Sequence, residues 1–275
     1  MALFSTTLSS LRQHLSAQVG DLILSTPSTA TGGTTAVDTK LRKGDDYYNE
    51  HQYRGYCYEG TAIGQEREIS DWDNATNTVT FAPAFSPALT TGDKLELHQI
   101  FTEDEYRKAI NQAIEFAADD YLLDDVNVAT VLSTNIYEYA MPGTPEFQYV
   151  HQITKETTAG SGIFQNKYII KPDFYQFIKV GTASYIKFDE EDFKIPIGEN
   201  GKDLRIEGQK RQAKLTADTS ICYMPLDWVV AKAITYLPNS KMLSENLNKT
   251  LEIALNFAVN VPRRRPYPKS KRVLL

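Results

Sequence analysis

The stretch from Thr102 to Val126, TEDEYRKAINQAIEFAADDYLLDDV, carries the clearest helical pattern in the chain. Thr102 is followed three residues later by Glu105, which is the spacing of a capping box, and the acidic first turn suits the positive end of a helix dipole. Apolar side chains then recur every three or four residues and form one stripe: Tyr106, Ala109, Ile110, Ala113, Ile114, Ala117 and Tyr121. A helix with such a stripe needs other helices to cover it.

The other helical patterns lie near the two ends of the chain, whereas the segments between them have the short, turn-separated pattern of strands. We therefore predict an α+β fold in which residues 1–24, 101–126 and 225–261 form a small helical bundle. Two antiparallel β-rich inserts, residues 25–100 and residues 127–224, interrupt this bundle.

The strongest strand signal in the first insert is a hairpin. Arg67 to Trp72 alternates apolar and polar residues, Asp73 to Asn77 is rich in turn residues, and Thr78 to Phe81 has the pattern of the returning strand. In the second insert, Gly160-Ser161-Gly162 is predicted to be a hairpin turn, and residues 192–197 are predicted to be a strand.

The end of the chain is predicted to hold two helices. Pro225 fits the first turn of one helix, which Pro238 ends. Leu243 to Ala258 keeps the three- and four-residue period of a last helix, which Pro262 ends.

Composition favours an ordered globular protein of 275 residues with 41% hydrophobic residues. The two cysteines, Cys57 and Cys222, have no metal-ligand spacing, so we expect neither a zinc site nor a disulfide framework, in keeping with a reducing compartment. The first residues lack the basic start and long apolar run of a signal peptide, and no apolar run reaches the length of a membrane span. We expect no membrane association.

Motifs for catalysis or cofactor binding are not found. The sequence has no nucleophile elbow, HExxH motif, phosphate loop or dinucleotide fingerprint. The four histidines share no metal-ligand spacing, and those in predicted strands, His98 and His151, are better explained as half-buried polar residues. We therefore predict a protein that is not an enzyme and that holds no cofactor or metal.

Acidic runs are the remaining candidates for a site. Asp119, Asp120, Asp124 and Asp125 follow the central helix, and a second run covers residues 189–192. Paired carboxylates serve glycoside hydrolysis or bind calcium. Neither run has the EF-hand spacing, and such runs are more often solvated, while Asp71, Asp73 and Asn74 are better explained as turn residues.

The basic tail, residues 262–275, is the most informative functional stretch. It contains six basic residues and no acidic one, so the tail carries a charge of +6 and the rest of the chain −12, which gives the net charge of −6. Three interpretations are open: insertion into an acidic groove of a protein partner, binding to phosphates, or a mobile solvated end. We favour the protein partner, because an acidic body repels nucleic acid.

Two stretches carry a resemblance to a known family. In the first, Gly60 to Asp73 (GTAIGQEREISDWD) is followed by Thr78-Val79-Thr80 and Pro83. It resembles a β-hairpin segment of tailed-bacteriophage structural proteins, in which a glycine-rich turn leads into R-x-I-x-D-Y-D and a short T-V-T return strand.

In the second stretch, Ile206-Glu207-Gly208 is followed by Leu215 to Thr219 (LTADT), Pro225 and the alanine-containing run from Ala231 to Leu237. It is similar to the end of phage head–tail connector proteins, where a strand and a turn lead to a helix that starts at proline. The helices from the chain start, middle and end also resemble the helical core of those adaptors.

This resemblance implies a structural virion protein of the phage neck, made in the host cytoplasm and assembled as a closed ring of about twelve copies. It implies that the ring docks on the portal protein through its C-terminal helix and tail, contacts tail or fibre proteins through the β inserts, and lets DNA pass through its channel without specific binding. The central helix would line the ring core through Tyr106, Ile110, Ile114, Ala117 and Tyr121. The tail would bind the portal through the following residues: Arg263, Arg264, Arg265, Tyr267, Lys269, Lys271, Arg272, Leu274 and Leu275.

Alternatives remain inside and outside that family. A stopper, tail-tube or collar protein of a phage would share the same features. A carbohydrate-binding or carbohydrate-degrading β protein would use its tyrosine- and aspartate-rich hairpins instead, and a packaging factor would grip DNA through the basic tail.

Overall fold

The computed structural model describes residues 5–181 and 183–273, so Leu274 and Leu275 of the predicted portal-binding set lie outside the described residues. The described residues form a mixed α/β structure with six α-helices and several antiparallel sheets, so the predicted combination of helices with antiparallel β segments is confirmed. The structure is sheet-rich, with 33% strand and 23% helix, and the description of its core as a helical bundle is wrong. The sheets dominate because both predicted β-rich segments form extended antiparallel structure.

The described residues divide into two compact units. Unit 1 comprises residues 117–213 and 262–273, and unit 2 comprises residues 5–116 and 214–261. The first β-rich segment therefore belongs to the same unit as the helices, and the basic tail belongs to the unit formed by the second β-rich segment.

Four helices of unit 2 pack on one another: α1 on α3 and α4, α3 on α4, and α4 on α6. The six helices are α1 (Leu8–Gln18), α2 (Tyr47–Glu50), α3 (Glu103–Phe116), α4 (Leu226–Ile234), α5 (Asn239–Ser244) and α6 (Asn248–Ala258). Tyr106, Ile110 and Ile114 of the predicted stripe are fully buried on α3. The capping box is also present, because the Glu105 carboxylate accepts from the Thr102 amide and the Thr102 hydroxyl accepts from the Glu105 amide.

The central helix is shorter than predicted. It ends at Phe116, so Ala117 and Tyr121 are buried but lie outside it, in unit 1. Two physical reasons account for the difference. Four aspartates at the negative end of a helix dipole are unfavourable, and the valines that follow, such as Val126 and Val128, favour an extended strand.

Unit 2 also contains a seven-stranded antiparallel sheet in the order β2-β8-β5-β6-β7-β4-β3. The predicted hairpin is confirmed, because β6 pairs with β7 around the Asp73–Asn77 turn. Trp72 and Leu97 are buried in the core beside this sheet. The strands are β2 (Ile23–Ser25), β3 (Thr29–Thr31), β4 (Thr35–Val37), β5 (Arg54–Glu59), β6 (Glu66–Asp73), β7 (Thr78–Ala82) and β8 (Lys94–His98), and the separate pair β1 (Thr6–Thr7) and β16 (Ile221–Cys222) completes the unit.

Unit 1 contains a five-stranded and a three-stranded sheet. The first has the path β12-β11-β15-β9, with β17 paired to β11, and the second has the order β10-β14-β13. The strands are β9 (Leu123–Val131), β10 (Glu138–Ala140), β11 (Phe147–Glu156), β12 (Phe164–Ile170), β13 (Tyr175–Val180), β14 (Ala183–Phe188), β15 (Asp203–Lys210) and β17 (Lys271–Arg272). Residues 192–197 do not form the predicted strand, although Phe193 and Ile195 are buried in the core of the unit.

The turn between β11 and β12 confirms the predicted role of Gly160-Ser161-Gly162. Gly160 and Gly162 both have positive φ angles, which suit glycine. The Glu156 carboxylate accepts hydrogen bonds from both of their amides and from the Ser161 hydroxyl. These bonds lower the pKa of Glu156 against the opposing effect of burial.

We expect Gly208→Ala to lower the free energy of unfolding of unit 1 by about 2 kcal/mol, as overpacking commonly does. A Cβ at Gly208 would lie 2.2 Å from the Tyr149 carbonyl oxygen and 2.9 Å from the Phe147 ring, so β15 and β11 must separate. Thermal unfolding followed by circular dichroism measures the change. Gly198→Ala is the control, because nothing lies within 4 Å of its Cβ position, and an equal loss in both variants would contradict the close approach.

Candidate interaction surfaces

An exposed apolar surface of unit 2 lies on its last helix and at the C-cap of that helix. Ala254 and Ala258 are buried and Leu251 is half-buried, whereas three other apolar residues of α6 and the C-cap residue Val259 are exposed. The exposed fractions are 60% for Ile253, 51% for Leu255, 54% for Phe257 and 73% for Val259. We call these four residues the α6 surface.

The single helix predicted from Leu243 to Ala258 is divided between α5 and α6. The chain is interrupted at Asn246, which has a positive φ angle. Of the residues that keep the helical period, Ala254 and Ala258 are buried, whereas Leu243 and Leu255 are exposed. The period therefore located α6, but it did not show which of its residues are buried.

A groove of about 380 Å³ runs between α4 and α6. Ala231 and Ile234 line it from α4, while Ile253 and Phe257 line it from α6. The groove and the α6 surface are continuous because they share these two residues of α6. An exposed apolar area of this kind is typical of a site that another protein covers.

Residues 262–273, the described part of the basic tail, belong to unit 1. Lys271 and Arg272 pair with Val150 and Tyr149 of β11, and Val273 is fully buried in the core of the unit. This part of the tail therefore packs on the sheet of its own chain. The Lys271 ammonium also donates to the Tyr175 carbonyl at 2.8 Å.

The four aspartates that follow the central helix form ion pairs with arginine and lysine side chains of unit 1. The Arg264 guanidinium pairs with Asp124, and Arg263 lies 3.8 Å from Asp120. Asp119 and Asp125 pair with two other cations of the unit, Arg211 at 2.6 Å and Lys210 at 2.7 Å. The four aspartates therefore form ion pairs, and three exposed residues of the tail have no ion pair among the described residues: Arg265, Lys269 and Arg272.

Most of the other acidic candidates are turn residues. Asp73, at the end of β6, accepts from the Ala75 amide at 2.8 Å, and Asp189 accepts from the Glu191 amide at 2.8 Å. Asn74 lies in the turn as predicted, but the prediction is wrong for Asp71, which is a residue of strand β6. Within residues 5–181 and 183–273, no group of three or more metal-ligating side chains could hold a metal ion.

A buried ionic cluster in unit 2 was not predicted from the sequence. The Arg12 guanidinium donates to both oxygens of Glu96, at 2.6 and 3.1 Å, and to Asp218 at 2.6 Å. Asp218 also accepts from the Tyr56 hydroxyl at 2.7 Å. Burial alone lowers the pKa of Arg12, but Glu96 and Asp218 raise it above its usual value. We call these four residues the Arg12 cluster.

The cluster holds the segment of residues 214–220 against the helices. The backbone carbonyls of Ser220 and Asp218 accept from the amides of Leu8 and Ser9 in the first turn of α1, which otherwise have no partner in the helix. Asn111 of α3 exchanges two hydrogen bonds with the Leu215 backbone. The cluster and these bonds together position α1 and α3.

The histidines in strands differ from each other. His98 is fully buried beside the Arg12 cluster, and neither of its ring nitrogens has a hydrogen-bond partner among the described residues. His151 is exposed, with its ring 5.4 Å from that of Tyr267. The prediction of half-buried residues is therefore wrong for both.

No family model matches the sequence, and no curated protein is significantly similar to it. Among the described residues, no helix combines the length and the apolarity needed to cross a membrane.

Proposed function

We propose that this chain is a non-enzymatic structural protein of a tailed-phage neck, a head–tail connector that forms a closed ring and docks on the portal protein. The observation that carries the proposal is the α6 surface, an exposed apolar face on the last helix of the chain. The sequence resemblance places the portal contact at that helix. An apolar surface on a docked helix is suited to bind a groove of a protein partner.

The charge distribution is consistent with a ring around DNA. Unit 2 contains 20 acidic and 13 basic residues, whereas unit 1 contains 15 acidic and 16 basic residues. An acidic wall repels the phosphate backbone and lets DNA pass without being gripped. The packaging-factor alternative needs the cations of the basic tail to be available to DNA, and here two of the six, Arg263 and Arg264, are paired with Asp120 and Asp124.

The exposed cations of the basic tail would contribute to the portal contact while the tail stays packed on unit 1, so the tail would not act as a mobile arm. Truncation is a poor test of that role, because removal of Val273 would also open the core of unit 1. Charge reversal at Arg265 and Lys269 leaves that core intact. The β-rich segments would contact tail or fibre proteins.

We expect the double substitution Leu255→Glu with Val259→Glu to abolish binding to portal rings, because two carboxylates cannot be desolvated in an apolar contact. Both side chains are exposed, so the stability of unit 2 should change by less than about 1 kcal/mol. Sedimentation of the purified chain with portal rings of the same particle measures binding.

Leu24→Glu is the matched control, because Leu24 is a leucine of unit 2 that is exposed to 50%, as Leu255 is to 51%. Binding should survive this change. Retention of portal binding by the α6 double variant would contradict the proposed docking site. Quantitative mass spectrometry of particles tests the ring itself, for which about a dozen copies are expected of one closed ring.

A further inference from the structure

Strand β9 has one edge that no other strand covers. It spans nine residues, pairs with β15 along one side and lies at the end of the sheet path, and no described strand pairs with its other side. Such an edge presents backbone N–H and C=O groups that can pair with another chain. Long edges are commonly protected by charged residues, proline or a bulge. β9 has two aspartates at its start and an irregularity between Asn127 and Thr130, and it contains no lysine or proline.

The exposed side chains of β9 indicate that something covers this edge. Val126, Val128 and Val131 are exposed to 58%, 48% and 46%. The residue opposite Val126 on β15 is Glu207, so the valines lie on a face that is otherwise polar. β-Branched apolar residues on a strand are stabilised mainly by packing against cross-strand neighbours, and on its open side β9 has none.

The other end of the same sheet has complementary chemistry. Strand β12 is also terminal in the path, and its exposed residues include Lys167 and the apolar Ile169, with Lys171 directly after it. β12 contains no acidic residue, whereas β9 contains Asp124 and Asp125 and no basic residue. The charged side chains of β9 are therefore carboxylates and that of β12 is a lysine. Asp124 and Asp125 already pair with Arg264 and Lys210 inside the unit, so the apolar residues supply the larger part of the match.

The strand directions allow these two edges to meet between copies. Each neighbouring pair along the path β12-β11-β15-β9 is antiparallel, so β9 and β12 run in opposite directions. Rotating a second copy about an axis parallel to the strands does not change the strand directions. The β12 strand of that copy can therefore lie beside β9 of the first copy as an antiparallel neighbour, with the same face of the sheet outward. The register that places Val126 opposite Ile169 also places Asp124 opposite Lys171.

We propose that copies of this chain join edge to edge, with β9 of one copy paired antiparallel to β12 of the next. The contact uses two different surfaces, so a joined pair keeps one free β12 edge on one copy and one free β9 edge on the other, and a series of copies closes if the rotation allows it. The contact thereby supplies the ring interface, and only the closure into a ring rests on the proposed function.

Disulfide trapping of the purified full chain tests the register. The double variant Val126→Cys with Ile169→Cys should give a ladder of covalent oligomers on oxidation. An intramolecular bond is excluded, because three strand spacings separate the two positions by about 14 Å, beyond the reach of a disulfide. The native Cys57 and Cys222 are fully buried, and burial raises the pKa of each thiol to about 11, so they do not compete.

Val126→Cys with Val180→Cys is the control, because Val180 is as exposed as Val126, at 58%, and lies on a different sheet of unit 1. A ladder at least tenfold stronger than this control supports the proposal. Equal yields overturn it, and so does dimer formation by Val126→Cys alone, which indicates two-fold pairing of β9 with itself. A ladder from a chain that is absent from particles would uphold the edge contact while refuting the proposed function.

Discussion

Replacing Arg12 by Met is expected to lower the free energy of unfolding of unit 2 by about 3 to 5 kcal/mol. The substitution keeps most of the side-chain volume but leaves Glu96 and Asp218 buried without their cation. A buried carboxylate that loses its partner retains the full cost of desolvation. The fold would also lose the hydrogen bonds that connect α1 with β8 and with the segment of residues 214–220.

Tryptophan fluorescence during denaturant unfolding measures this change for one unit alone. The chain has two tryptophans, Trp72 and Trp228, and both belong to unit 2. The midpoint and slope of the transition give the free energy of unfolding. Signals from unit 1 do not contribute, since it contains no tryptophan.

Arg54→Met serves as the control. Arg54 is a partly exposed arginine of the same unit, 3.5 Å from the exposed Glu68, and pairs of that kind contribute less than about 1 kcal/mol. Adding Glu96→Gln to Arg12→Met should recover part of the loss, because it removes one uncompensated charge. If Arg12→Met proved as mild as Arg54→Met, the buried cluster would not have the role assigned to it.

The second large effect concerns the stability of unit 2 in acid. Burial lowers the pKa of His98 from 6.5 to about 3, and the positive charge of Arg12 is the second cause of this shift. Glu96, Arg12 and Tyr106 face the ring: the Glu96 carboxylate is 3.6 Å from Nε2, and Tyr106 makes an edge contact. We expect His98→Leu to reduce the loss of stability on acidification by about 3 kcal/mol at pH 4.5.

The sign follows from proton binding. The unfolded chain protonates His98 as the pH falls through 6.5, whereas the folded chain keeps it neutral down to about pH 3. The unfolded state therefore gains about 1.4 kcal/mol per pH unit within this window. A leucine at position 98 binds no proton. Replacing His98 also breaks no hydrogen bond of the described residues, because neither ring nitrogen of His98 has a hydrogen-bond partner among them.

The difference between the two chains, measured by tryptophan fluorescence from pH 7.5 to pH 4.5, isolates His98 from the carboxyl groups that both share. His14→Leu removes an exposed histidine of the same unit. The dependence of its unfolding free energy on pH should match that of the natural chain. Parallel profiles for His98→Leu and the natural chain would show that the ring is not held neutral.

Local patterns predicted several elements correctly. The hairpin of β6 and β7 followed from alternation and the Asp73–Asn77 turn, and the buried stripe of α3 followed from its period. Helix length was less predictable. The stripe continues in the sequence to Ala117 and Tyr121, but the backbone at Tyr121 bridges to Arg264, a partner 143 positions later, counted from the sequence numbers.

The sequence by itself determined where most helices and strands lie but not all of their ends, because alternation, helical period, glycine turns and capping residues act over fewer than about ten residues. Only the tertiary structure decided that the basic tail forms a strand on β11, that Arg12 meets Glu96 and Asp218, and that α6 turns its large apolar residues outward. Each of these depends on groups brought together from distant positions. Such contacts are selected by burial and charge compensation in the assembled fold, and no local pattern records them.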